Sequence, residues 1–150
     1  MSEALQALYA GDGERARELL PADAELTVFE AAAFGRAERL RELLRAEPGL
    51  VGAYSDDGFT PLHLAVFGGQ AEAARVLIEH GADPDAVSTT SIAQVTPLGT
   101  AAFVRSAPLV RLLIAAGADP AANDAGALRT AEANGDAELV RLLRAGLAPG

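Results

Sequence analysis

One register recurs five times along this chain of 150 residues, and it constrains the fold more than any other feature. The segment Gly11-Asp12-Gly13-Glu14-Arg15-Ala16-Arg17-Glu18-Leu19-Leu20 aligns residue for residue with Gly35-Arg36-Ala37-Glu38-Arg39-Leu40-Arg41-Glu42-Leu43-Leu44. The same frame restarts at Gly69, Arg105 and Gly135, so successive copies are offset by 24, 34, 36 and 30 residues. Three residues after each start stands Glu14, Glu38, Glu72, Pro108 or Glu138. Six after it stands Arg17, Arg41, Arg75, Arg111 or Arg141, and eight after it Leu19, Leu43, Leu77, Leu113 or Leu143. A unit repeated at such a period cannot bury its apolar face alone, and stacking against neighbours is what builds the core.

Each copy reads as a short helix, a glycine turn and a longer amphipathic helix. In the third copy Thr60 is a good N-cap, because its hydroxyl can accept an orphan backbone N–H. Pro61 suits the first helical position, where a missing N–H costs nothing. The run Leu62 to Phe67 forms the short helix, closed by Gly68-Gly69, and Ala71 to His80 forms the second. Gly81 ends it, and Asp83-Pro84 leads into an extended turn. The fourth copy repeats the plan with Thr96-Pro97-Leu98, Leu109 to Ile114 and Gly117-Ala118-Asp119-Pro120. Composition agrees: 34 alanines and 21 leucines with little valine or isoleucine favour helix over sheet.

Thr60-Pro61-Leu62-His63-Leu64-Ala65 followed 21 residues later by Gly81-Ala82-Asp83-Pro84 resembles an ankyrin repeat. Thr96-Pro97-Leu98, with Gly117-Ala118-Asp119-Pro120 again 21 residues on, resembles a second. Phe29-Glu30-Ala31-Ala32-Ala33-Phe34-Gly35 before them and Leu128-Arg129-Thr130-Ala131-Glu132-Ala133-Asn134-Gly135 after them keep the frame. The resemblance, to a small bacterial-type array, covers roughly residues 3 to 146 and implies an all-α solenoid with short β-turn fingers. One domain over 1–150 is expected. Its copies span about 3–23 as an N-terminal cap, 24–53, 54–87, 88–121, and 122–146 as a C-terminal cap. Polar Arg15, Glu18 and Glu42 suit end copies with one face in water.

Ala32, Ala65, Ala101 and Ala131 keep the first helices slim, and Leu43, Leu44, Leu77, Leu112 and Leu113 are expected to pack between neighbours. The fourth copy departs from the third by having Gly99 in place of His63, and Arg105 where the others have glycine. The resemblance implies that His63 bonds across the loop to backbone, which Gly99 cannot do. The Ser88–Val95 finger is three residues long for the period and the Ala121–Ala125 finger three short, so the two errors cancel.

Several function classes are excluded or weakened by composition. Acidic residues outnumber basic ones 21 to 12, a net charge of −9, and every basic residue is arginine. No clustered positive face for nucleic acid is expected. Zero cysteine removes disulfides, thiol catalysis and thiolate metal sites, and two histidines offer no metal site without carboxylate help. The opening Met1-Ser2-Glu3-Ala4-Leu5 lacks the start of a secretion signal, and apolar stretches are too short for a membrane span. The expectation is a cytoplasmic protein with no metal and no cofactor, monomeric or weakly self-associating. Alanine-rich, all-arginine usage fits a GC-rich bacterial genome.

His63 with Ser88, Ser91 and Asp83 suggests catalysis, but no oriented base or oxyanion donor accompanies it, so no catalytic residue is assigned. Glu14/Arg17, Glu38/Arg41, Glu72/Arg75 and Glu138/Arg141, three apart on helices, read as solvated pairs along each helix. The glycines follow helices rather than strands, so they are no phosphate cradle.

The binding candidates are the residues one or two positions before each inter-helix turn: Tyr9, Phe34, Phe67 and Phe103, with Val104 and Asn134. The resemblance implies that these positions face a concave groove and contact partners. His80, at the end of a second helix, joins them as a surface contact. The finger tips add Tyr54, Asp56, Asp57 and Phe59 in one copy and Ile92, Gln94 and Val95 in the next. Asp56-Asp57 between two aromatic residues favours a partner with a basic patch. The expected function is non-catalytic capture of another protein. A small-molecule or enzymatic site under the 88–95 finger, and self-association through the groove, remain open alternatives.

Overall fold

The computed structural model describes residues 2–90 and 94–147. Among them ten α-helices and two short 3-10 turns occur, with no strand. The helices are α1 (Glu3–Tyr9), α2 (Gly13–Glu18), α3 (Val28–Ala33), α4 (Ala37–Ala46) and α5 (Pro61–Phe67). Then come α6 (Ala71–Glu79), α7 (Pro97–Phe103), α8 (Ala107–Ala115), α9 (Ala122–Ala133) and α10 (Ala137–Leu147). They form hairpin pairs. The first helices α3, α5, α7 and α9 stack in one layer, with α1 leaning on α3, and α4, α6, α8 and α10 stack in the other.

Local chemistry sets each start. Thr60 Oγ1 accepts from the N–H of His63, and the His63 ring answers at the Thr60 N–H, a reciprocal cap. Thr27 and Glu30 make the same box on α3. Thr96 and Ser106 cap α7 and α8.

Stacking buries the alanine seam: Ala32, Ala65, Ala101 and Ala131 have no exposed surface. Leu44, Leu77 and Leu113 are also buried, whereas Leu43 and Leu112 lie only partly buried at the edge of the core. Leu40, Leu109 and Leu139 take up the depth one turn earlier on their helices. A smaller apolar cluster gathers Leu5, Ala33 and Leu64 with Tyr9, Phe29, Phe34 and Phe59.

The Glu–Arg pattern is corrected by the stack. Glu38 does pair with Arg41 on its own helix. Glu72 reaches back to Arg41 of the preceding pair at 3.5 Å, and Glu138 to Arg111 at 2.8 Å. The arginine six residues into one frame faces the glutamate three residues into the next across the stack, and that proximity competes with the neighbour three residues along.

The shortened finger is made by a left-handed turn. Asn123, Asp124 and Ala125 have φ of 53°, 58° and 53° at the start of α9. L-residues pay roughly 1–2 kcal/mol each for this conformation. Asn123 offsets part by donating to the Gln94 carbonyl at 2.7 Å, and Arg129 pairs with Asp124 at 3.0 Å.

Candidate functional site

The last turns of α1, α5 and α7 converge with two fingers on one groove of about 940 Å³. Tyr9, Phe67 and Phe103 come from the helices. Asp56, Asp57, Gly58 and Phe59 come from one finger, Thr89, Thr90 and Val95 from the next. His63, Leu64, Gly99, Thr100 and Thr130 complete the lining. The fingers hold each other in register: the Thr89 N–H donates to the Gly58 carbonyl at 2.9 Å, and the Tyr54 hydroxyl to the Val87 carbonyl at 2.9 Å. Ser88 closes the base of its finger, its N–H on the Val95 carbonyl at 2.8 Å and its hydroxyl taking the Val95 N–H at 2.9 Å.

Tyr9, Phe67 and Phe103 each stand two residues before the left-handed turn residue, Gly11, Gly69 or Arg105. Phe34, Val104 and Asn134 stand one residue before it, as the C-caps of α3, α7 and α9. One residue of helix is about 100° of rotation, so this second set points away. None of the three lines the groove; Phe34 packs into the smaller apolar cluster instead. The residue of the second pair that corresponds to Phe67 is Ala33, buried. Tyr9 crosses that gap to meet Phe67 edge-on, ring centres 5.4 Å apart, and Phe59 at 6.3 Å.

Three further candidates also sit elsewhere. Tyr54 is 45% exposed but spends its hydroxyl on the neighbouring finger. His80 caps α6 and donates from Nδ1 to the Val76 carbonyl of its own helix at 2.8 Å. Gln94 belongs to a smaller recess beside the groove. Ile92 lies outside the described residues. Thr89 and Thr90 line the groove from the 88–95 finger that the sequence offered for a small-molecule site; sequence reasoning missed Thr100 and Thr130, whose small polar side chains carry no periodic signal.

Two buried polar groups set the electrostatics. His63 Nε2–H donates to the Val95 carbonyl at 2.9 Å, while Nδ1 faces the Thr60 hydroxyl at 2.8 Å. Burial lowers its pKa, against a smaller upward pull from the Val95 carbonyl. The ring is therefore a neutral strut between one pair's cap and the next pair's finger. The Tyr9 hydroxyl is shielded from water and lies near the Asp57 carboxylate without a well-formed hydrogen bond. Burial, then Asp57, pushes its pKa upward. Among the described residues no cluster of His, Asp and Glu fits a metal ion, and no helix is long and apolar enough to cross a membrane.

A family model for ankyrin repeats (3 copies) matches residues 3–88 and 28–124. The chain belongs to the ankyrin repeat family. Its last helix pair lies largely beyond the matched stretch. Over 50 residues, a third of the chain (33%), it is 50% identical to the potassium channel AKT3 of Oryza sativa subsp. japonica. Over 66 residues, 43% of the chain, it is 42% identical to the DNA-binding protein RFXANK of Homo sapiens. These stretches span 6% and 25% of the two proteins, so the chain covers a small part of either. Ankyrin repeats are generally protein–protein interaction modules and typically non-enzymatic.

The fourth ankyrin repeat departs from its family pattern at Gly99, and the structure locates the result. Where His63 fills the third repeat, a recess of about 270 Å³ opens between Gly99, Thr96, Asn123 and Arg129. The Asn123–Gln94 bond holds that corner in place of the missing ring.

Proposed function

We propose that the chain is a non-catalytic docking module, one domain over residues 1–150, that holds a partner protein in the groove between its first helices and fingers. The observation that carries this reading is Phe103. It is 67% exposed, the most exposed large apolar side chain described, and it stands on the rim of the groove. A benzyl group held in water on a concave surface is a feature of interaction sites, and aromatic anchors supply about 2 kcal/mol or more at interface centres. The same exposure leaves that end of the groove uncovered, which favours a protein segment over an enclosed small molecule.

The test uses random peptides displayed on phage and selected on the wild-type chain. Peptides recovered on the wild type are expected to bind the Phe67→Ala/Phe103→Ala chain at least about tenfold more weakly, with helicity by circular dichroism unchanged. Equal affinity for the two chains removes the groove from the proposal.

A further inference from the structure

Three successive first helices begin at a threonine, and the third of these caps lacks an acceptor that the other two have. Thr27 gives its N–H to Glu30 Oε1 at 3.0 Å and its hydroxyl proton to the same oxygen at 3.2 Å. Thr60 gives both protons to His63 Nδ1, at 3.3 and 2.8 Å. The residue in that place after Thr96 is Gly99, which has no side chain to accept them. The Thr96 hydroxyl takes the Gly99 N–H at 3.1 Å, which leaves its own proton over, together with the Thr96 N–H. Thr96 is 4% exposed, and among the described residues neither proton meets an acceptor. A buried donor in that state costs free energy until something fills it.

Thr96 lines the recess of about 270 Å³ that opens at Gly99. The backbone does not ask for this space. Neither Gly99 nor Gly126 has a positive φ, and a Cβ on either would meet its neighbours at 3.5 Å or more. Two glycines in helices cost stability, and what they leave is room. Among the described lining residues the one charged side chain is Arg129, with a single N–H on Asp124 at 3.0 Å and further donors to give. Two leftover donors beside a guanidinium suit a compact, negatively charged acceptor. A neutral carbonyl can take the protons but makes no use of the charge. The net charge of −9 opposes such a ligand only weakly, because charges beyond about 8 Å are screened at physiological salt.

We propose that the recess at Gly99 binds a carboxylate, which completes the Thr96 cap from outside as Glu30 completes the Thr27 cap from within, with Arg129 as its counter-charge. The site stands independently of the docking reading. Because recess and groove share Val95, Gly99 and Thr130, the carboxylate belongs either to a free acid or to an acidic residue of a docked segment.

The experiment titrates the nitrogen-15-labelled chain with sodium propionate at constant ionic strength and follows the backbone amides by nuclear magnetic resonance. Saturable shifts are expected at Thr96, Gly99 and Arg129, with a midpoint of about 10 mM or below, and propionamide should bind at least about tenfold more weakly. Gly99→Glu supplies the carboxylate from within; it should abolish propionate binding and raise the urea midpoint, with helicity unchanged. Shifts that do not saturate, that propionamide reproduces, or that survive in Gly99→Glu overturn the inference and leave the docking reading, which rests on Phe67 and Phe103, untouched. With propionate bound as expected, the phage-selected peptides separate the two sources. A Glu→Gln change that weakens a peptide several-fold on the wild type but not on Gly99→Glu places the carboxylate on the docked segment. Peptides with no acidic preference assign it to a free acid.

Discussion

Arg105 holds a left-handed backbone, φ 57°, at the turn where the other four pairs have Gly11, Gly35, Gly69 or Gly135. Gly99 does the opposite: it puts a glycine inside α7, where alanine loses less backbone entropy. Both choices cost stability, and both can be reversed. Arg105→Gly removes the left-handed penalty and adds unfolded-state freedom, for a net gain of about 0.5–1 kcal/mol. Gly99→Ala gains a similar amount, about 0.5–1 kcal/mol, because its Cβ would meet Thr96 and Val95 at 3.6 and 3.7 Å, ordinary contact distances. In urea unfolding each should move the midpoint upward, and no shift in either variant contradicts the residue-level account. His63 gives a pH signature. Its folded pKa lies below the unfolded value of about 6.5, so the folded chain takes up fewer protons as acid is added. Its stabilising contribution is complete above that value and is lost as pH falls through it toward the folded pKa. Unfolding free energy measured from pH 7.5 to 5.5 should decline in the wild type and decline less in His63→Gln; parallel slopes count against the strut.

Between elements, the glycine packed most tightly against a neighbour's backbone is Gly68, the C-cap of α5. Its φ is −76°, which any residue adopts, so glycine is required there for space alone. A Cβ would strike the Ala33 carbonyl oxygen at the end of α3, and backbone cannot swing aside as a side chain can. Gly68→Ala should therefore destabilise by about 1–3 kcal/mol, read as a lower unfolding midpoint with an unchanged far-ultraviolet spectrum. This level also divides what the sequence made legible from what it did not. Helix starts were legible because capping is local: Thr60, Thr96 and their neighbours three residues on carry their own partners. The groove wall was legible at Tyr9, Phe67 and Phe103, which share one offset from the turn. Phe34 was misplaced because its offset differs by one, a full step around the helix. The partners of Glu72 and Glu138 were misread because sequence displays neighbours along a helix and hides those across a stack. The left-handed turn at Asn123–Ala125 was half legible: Asn123 and Asp124 are types that tolerate that conformation, while Ala125 carries no such signal.

For the molecule as a whole, each pair contacts chiefly the pairs beside it, so stability is close to a sum of local and nearest-neighbour terms. Central pairs have two partners and end pairs one. Amide hydrogen exchange should be slowest in α5 to α8 and faster in α1, α2 and α10, and uniform protection along the chain is the outcome that contradicts this. The two ends of the trough are also unalike. Near the amino-terminal pair, Tyr9 lies over Ala33 against Phe67 and Phe59 like a stopper. Beyond Phe103 the groove runs on to Thr130 of α9, whose start is the short left-handed turn rather than a ring. Under the docking reading proposed above, a peptide seated in this trough meets the Tyr9 ring at one end only, so bulky cargo fused at that end is expected to weaken binding more than the same cargo at the Phe103 end, and equal affinities for the two fusions would count against that asymmetry.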